Sequence, residues 1–251
     1  MVTGQQPLVH SATCLWPTAL VFWGPGSAPG RHTHHCVQLV IALTGAVRAR
    51  VRPRDPWRTC QAVVVRSDAE HEIDTRGAFV VIGFVGAENL LSAPIVAYLR
   101  SSVAIVPRSD ATTWRQALGD PATLDDARIK RWVRTTVLRD GAPPMDWRVE
   151  QVIRTLRHRP LDRGATSLAQ LSQVAGLSPS RFAHVFVDSI GVPVRAYMRW
   201  LRFHRAAREL MSGHSVTHAA HIGGFADAAH LTRTFRRTIG IPPRLLTQRS
   251  R

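Results

Sequence analysis

The sequence predicts a two-domain chain: an N-terminal β domain followed by an all-α C-terminal domain carrying two helix-turn-helix units. Three observations predict it. Short alternating or apolar runs separated by turn residues fill residues 18–86. From Asp146 onward, apolar residues recur at helical spacing between capping residues and glycines. The charge is uneven: residues 1–145 carry 16 Lys+Arg against 11 Asp+Glu, whereas residues 146–251 carry 17 against 6, out of a formal net charge of +16. With 251 residues, 45% of them apolar, the chain is long enough for two cores.

In the first part, "AVRARVRP" (46–53) alternates strictly, with Val47, Ala49 and Val51 on one face and Arg48, Arg50 and Arg52 on the other. "QAVVV" (61–65), "HEI" (71–73) and "AFVVIGFVG" (78–86) continue the strands, which suggests a small barrel or sandwich. After Asn89 the texture turns helical. In "DDARIKRWVRTTVLRDG" (125–141), Ile129, Trp132, Val133, Thr136 and Val137 fall on one helical stripe, and "GAPP" (141–144) is the expected boundary. The expected domains are 1–142 and 143–251.

In the second part, Asp146 caps a helix that runs to Pro160, with Val149, Val152, Ile153 and Leu156 inward. Ser167 and Gln170 have capping-box spacing, and Gly176 ends that helix with a sharp turn. Ser178 caps the next helix with Pro179 at its first position, and Gly191 stops it. A long helix spans about 194–211. Ser215 then caps "VTHAAHIGG", and "DAAHLTRTFRRTIG" closes the series before Pro242 and Pro243.

Residues 167–190 and 215–239 are thus the same unit twice: helix, glycine turn, helix. Aligned on their final Phe, Phe182 matches Leu231, Ala183 matches Thr232, His184 matches Arg233 and Phe186 matches Phe235, with one extra residue in the second turn. The second helix of such a unit fits the DNA major groove. An eighteen-residue spacer measures ~27 Å, of the order of the ~34 Å between successive major-groove faces. The repeat therefore predicts readout of two consecutive segments of one double-stranded DNA site.

"SLAQLSQVAGLSPSRFAHVF", "YMRWLRFHRAARELM" and "AAHIGGFADAAHLTRTFRRTIGIPPRLL" resemble the DNA-binding domain of the AraC/XylS family of bacterial transcription regulators, over about residues 146–247. The resemblance implies base contacts from exposed positions of both second helices: Ser180, Arg181, Ala183 and His184, then Ala228, Ala229, His230, Thr232 and Arg233. Of these, Arg233 can donate two bonds to guanine O6 and N7, and the alanines can pack on thymine methyls. Phe182, Val185, Phe186, Leu231 and Phe235 are expected in the core. Arg236 and Arg237 are expected on phosphate, as are Arg195, Arg199 and Arg202 on one face of the long helix. The resemblance also implies RNA polymerase as a partner, a small-molecule effector, and a homodimer contact; Ile129, Trp132, Val133 and Val137 would be its seam, and packing on the barrel within the domain explains them as well.

The stretch "GSAPGRHTHHCVQLVIALTG" (26–45) is the second informative one. As a strand it would point His32, His34, Cys36 and Gln38 to one side and His35 to the other. Its spacing, with His71 following, resembles the metal-binding signature of cupin barrels, over about residues 18–86. The resemblance implies a cupin-like effector domain. His32, His34, Gln38 and His71 would line its metal or ligand pocket, and imidazoles suit a divalent transition metal such as Zn, Ni or Fe. Gln38 stands where cupin enzymes carry Glu, and the Pro and Gly of the second cupin motif are missing around 66–70.

A competing reading is a metal-dependent cupin enzyme with an accessory basic helical domain. The missing Glu and the lack of any other acid–base constellation weigh against it, so no catalytic residue is assigned. A nucleoid-associated or RNA-binding structural protein would also be basic, but it does not need two capped hairpins with varied exposed residues. Cys14, Cys36 and Cys60 form no C-x-x-C pair, and their odd number argues against a disulfide framework. No run of 18 apolar residues exists, and "CLWPTALVFWGPG" is broken by Pro17 and Pro25. The expected location is the bacterial cytoplasm, with no membrane partner.

Overall fold

The computed structural model describes residues 12–15, 19–86, 94–137, 145–158, 167–239, 242, 243 and 246. The "GAPP" break, Pro160 and Gly240 lie outside the described residues. Nine strands are described: β1 (Ala12–Leu15), β2 (Ala19–Pro25), β3 (Val37–Thr44), β4 (Val47–Arg50), β5 (Arg58–Cys60), β6 (Ala62–Val65), β7 (Glu72–Asp74), β8 (Phe79–Val85) and β9 (Val103–Ile105). They form two antiparallel sheets, of order β1-β2-β8-β3-β6-β9 and β5-β4-β7.

The large sheet is covered on both faces, and this explains its apolar runs. Leu39, Ile41, Val64 and Val81 face α1 (Arg108–Leu118) and α2 (Asp126–Trp132), meeting Trp114, Leu118, Ile129 and Trp132. Val40, Ala42, Val63 and Val80 face the small sheet through Val47, Ala49 and Ile73. The small sheet has one wet face, so only β4 keeps the clean alternation of "VRAR". Two expectations are corrected here. Ile129, Trp132, Val133 and Val137 are at most 1% exposed and pack on the large sheet within the chain, so they form no dimer seam. The strand β9 arises in a stretch whose periodicity pointed only to helix; it is three half-buried residues long and pairs at the sheet edge with β6.

The C-terminal part holds α3 (Trp147–His158), α4 (Leu168–Val174), α5 (Pro179–Ile190), α6 (Val194–Met211), α7 (Val216–Ile222) and α8 (Ala228–Ile239). Their ends follow local chemistry. Asp146 Oδ1 accepts from the Arg148 N–H at the start of α3. Ser167 and Gln170 form a reciprocal capping box on α4. Ser178 and Ser215 cap α5 and α7. Ser167→Ala should cost about 1 kcal/mol, read as a lower urea midpoint with an unchanged slope. Both hairpins turn on a glycine in the left-handed region, Gly176 (φ +63°) and Gly224 (φ +70°).

Helix α6 organises the domain. Its Tyr197, Met198 and Leu201 join the core of the first hairpin with Phe182 and Phe186. Its Trp200, Phe203, Ala206 and Leu210 join the core of the second with Leu231 and Phe235. Buried Arg205 donates to the carbonyls of Leu156 and Arg157, tying the end of α3 to α6. The second of these cores also takes in Leu20, Cys36 and Phe84 of the β domain, so α6 is the wall on which the two domains meet.

Candidate nucleic-acid interface and sensor pocket

On α5, Ser180, Arg181 and His184 are exposed and Ala183 is half-buried. On α8, Ala229, Arg233, Arg236 and Arg237 are exposed, while Ala228, His230 and Thr232 are half-buried. Phe182, Val185, Phe186, Leu231 and Phe235 are all buried, as the helical stripe requires. Arg233 projects from the middle of α8, about one and a half turns from its N-terminal end. Several candidates also serve their own helix. The His184 Nδ1–H donates to the Ser180 carbonyl (2.8 Å), and the Thr232 hydroxyl donates to the Ala228 carbonyl (2.8 Å). His230 folds back over the turn: its Nδ1 accepts from the Ala226 N–H (3.4 Å), its ring lies edge-on to Phe225, and its own N–H is capped by Asp227. Its Nε2 therefore carries the ring proton and remains a donor.

A cleft of about 910 Å³ opens between the two hairpins. Ala183 and Val187 of α5 line one wall, and His230, Thr234 and Arg237 of α8 line another. Arg195, Arg199 and Arg202 of α6 form its floor, and Thr33 and His35 of the β domain close one side. Arg199 lies near enough to both Arg195 and Arg237 to feel their charge. Partial desolvation lowers the Arg199 pKa, Arg195 and Arg237 lower it further, and Asp68 of the β domain opposes them. Three guanidiniums held together in this way favour a polyanion. Asp68 itself pairs with His35 and sits in a left-handed turn (φ +62°).

The β domain brings together the four pocket residues named from the sequence. His32, His34 and His71 are buried, and their candidate ligand atoms lie within 4.8 Å of one another. The segment holding them is not the predicted strand. β3 begins only at Val37, and His32 instead forms a lone antiparallel bridge with His71. The reason is local: each ring turns its Nδ1 onto a nearby backbone carbonyl, which an extended strand would spend on ladder bonds. His32 Nδ1 meets Gly30 O (2.9 Å), His34 Nδ1 meets Cys36 O (2.8 Å) and His71 Nδ1 meets Ala69 O (2.9 Å). Gln38 Oε1 lies 3.0 Å from Nε2 of both His34 and His71. Cys36 leaves the cluster and packs toward α6. Burial lowers the pKa of His32, and lowers those of His34 to about 4 and His71 to about 3. The three rings are neutral at neutral pH.

Sequence reasoning missed three features. The His35–Asp68 pair joins residues 33 positions apart, and its position against α6 leaves no periodic trace. Gly223 lacks a Cβ because one would lie 3.0 Å from both Ala206 Cβ and Arg202 O, so α7 can seat directly on α6. Glu209, His214 and His218 cluster where α6 meets α7, with both imidazoles within 3.3 Å of one carboxylate oxygen.

Two hairpins sharing one helix, with basic residues exposed on both second helices, define a helix-turn-helix protein. Residues 171–249 match the family model described as a helix-turn-helix domain. Over 87 residues the chain is 36% identical to the HTH-type transcriptional regulator Rv1931c of Mycobacterium tuberculosis. The aligned part is 34% of this chain and 34% of that protein, so the match spans about a third of the curated relative. The two-domain fold is similar to that of ToxT from Vibrio cholerae. An apo ToxT structure gives a TM-score of 0.54 at 12% identity, covering 90% of this chain and 95% of that one. A ToxT structure with bound unsaturated fatty acid gives 0.52 at 10% identity, covering 90% and 93%. No described helix is long and apolar enough to cross a membrane.

Proposed function

We propose that the chain is a sequence-specific DNA-binding transcription regulator of the AraC type. One observation carries the reading: α5 and α8 each keep a polar face exposed while α6, eighteen residues long, anchors the cores of both. In this reading α5 and α8 enter successive major grooves of one duplex. Ser180, Arg181, Ala183 and His184 face bases in one groove; Ala228, Ala229, His230, Thr232 and Arg233 face bases in the other. Arg195, Arg199, Arg202, Arg236 and Arg237 hold the backbone between and beside them. Competition of genome-enriched sites against random duplex at fixed salt tests it. Equal affinity for both would end it.

Arg237→Ala should weaken every sequence by a similar factor and reduce the slope of log K against log salt by about one. A loss confined to one base-pair identity would instead make Arg237 a base reader.

The β domain is proposed as the sensor, controlled by a small ligand. Its contact with α6 and the fatty acid seen in the ToxT structure support that reading. The same proposal has the chain work in the bacterial cytoplasm with RNA polymerase and without catalysis of its own. Homodimerisation would use a surface other than the α2 stripe, and gel filtration reads it directly.

A further inference from the structure

We propose that Glu209, His214 and His218 form a site for a divalent transition-metal ion of the Zn²⁺ class, and that the bound ion fastens the first helix of the second hairpin to α6. The site lies in the helical part and shares no residue with the histidine cluster of the β domain.

Backbone chemistry brings the three residues together. Helix α6 ends in a Schellman turn: the Gly213 N–H donates to Leu210 O (3.0 Å), and the His214 N–H donates to Glu209 O (3.0 Å). Gly213 supplies the left-handed residue that this turn requires (φ +87°). The turn carries the chain back, so His214 lies over Glu209. One residue later Ser215 caps α7, its Oγ accepting from the His218 N–H (3.1 Å). Two backbone motifs in succession therefore place Glu209, His214 and His218 side by side.

The first hairpin uses the corresponding position differently. There Ser167 caps α4, and the Gln170 side chain three residues on turns back to close the capping box. His218 stands three residues after Ser215 but reaches across to α6, with its Nε2 3.3 Å from Glu209 Oε2. His214 Nδ1 lies 3.2 Å from the same oxygen, and the two rings stack with centroids 4.4 Å apart. The candidate ligand atoms of all three residues lie within 4.8 Å of one another. Charge-assisted N–H···O⁻ bonds run about 2.7–2.9 Å, so these contacts are long for hydrogen bonds to a carboxylate. Atoms about 2.0–2.1 Å from one tetrahedral ion stand about 3.3 Å apart, which both contacts match. The other oxygen, Oε1, faces Arg208 Nε at 3.9 Å, leaving Oε2 as the ligand atom. The His214 and His218 side chains are 49% and 43% exposed, so water can fill the fourth position. Two imidazoles with one carboxylate suit Zn²⁺, Co²⁺ or Ni²⁺ rather than Ca²⁺ or Mg²⁺, which prefer all-oxygen sets.

Helix α7 is where such a fastening would act. It is seven residues long, too short to be stable alone, and it buries only Ala219 and Ala220. Its C-terminal end is seated by the close approach of Gly223 to Ala206 and Arg202. An ion on His218 would hold the opposite end to the same helix.

The test uses full-length protein freed of metal with a chelator, then titrated with Co²⁺ by visible absorption and with Zn²⁺ by calorimetry. The parent should take one ion more per chain than His218→Ala. Any ion held by the β-domain histidines is common to both and drops out of the difference. Glu209→Gln keeps the shape and removes the charge; it should weaken this ion at least about ten-fold, the least that losing even an outer partner does to a metal site. Should His218→Ala fold poorly without metal, His214→Ala takes its place in the comparison. At free Zn²⁺ about 100 times Kd, the folding equilibrium constant of the parent should rise about a hundred-fold. Amide exchange along α7 should slow in the parent and stay unchanged in the variant. Equal stoichiometry in parent and variant, or a bound ion that leaves exchange in α7 unaltered, overturns the proposal.

Discussion

Phe235→Ala should destabilise the C-terminal domain by about 3–5 kcal/mol, the usual cost of emptying a fully buried phenylalanine site. Phe235 is 0% exposed and its ring centroid lies 4.5 Å from that of Phe203 on α6. It also shares a core with Leu231 of its own helix and with Leu20 and Phe84 of the β domain. The cavity would thus open at the point where the second hairpin, the spacer and the sensor are joined. The expected result is a fall in the urea midpoint and loss of protection over the half of the DNA site read by α8. Phe235→Leu keeps most of the volume and should cost roughly 1–2 kcal/mol. If Phe235→Ala unfolded at the urea concentration of the parent, the core described around α6 would be wrong.

Arg233→Ala should weaken binding to the preferred site by roughly 1–3 kcal/mol and relax preference at a single base pair. The side chain is exposed on α8, between the buried Leu231 and Phe235 that hold the helix in place. Its neighbours on the exposed face are Ala229, Arg236 and Arg237. Of these, Ala229 has no donor and the two arginines lie toward the C-terminal end, leaving Arg233 the long fork at mid-helix. Folding stability should change by less than 0.5 kcal/mol or so, as for most surface changes. Selection of bound sequences from a random pool reads the effect. An unaltered consensus would remove Arg233 from the base-reading set.

The helical half was largely legible because its signals are local. Ser167, Ser178 and Ser215 cap helices within three residues of themselves, and the stripes of α5 and α8 need only a 3.6-residue period. The β half was legible in content but not in arrangement. Residues of β3 are buried on both faces, so "VQLVIAL" carries no alternation to say which face meets which partner. The four residues named for the pocket do lie together, yet the backbone that carries them was not legible. Competition between ring-to-carbonyl bonds and ladder bonds decided that the strand starts at Val37. The junction between domains was invisible, because Cys36, Phe84, Trp200 and Phe203 are brought together from distant parts of the chain with no shared period.

Helix α6 has hairpin cores or the β domain against most of its circumference. Slippage of one hairpin along it is thereby forbidden, and so is rotation of one against the other. Under the proposed readout, the phase between the two halves of the DNA site would then be a property of the protein and not of the duplex. One base pair inserted between them turns the second half by about 34° and carries it about 3.4 Å away. A spacer already packed on its sides has no slack with which to follow, so such a site can be held at only one of its ends.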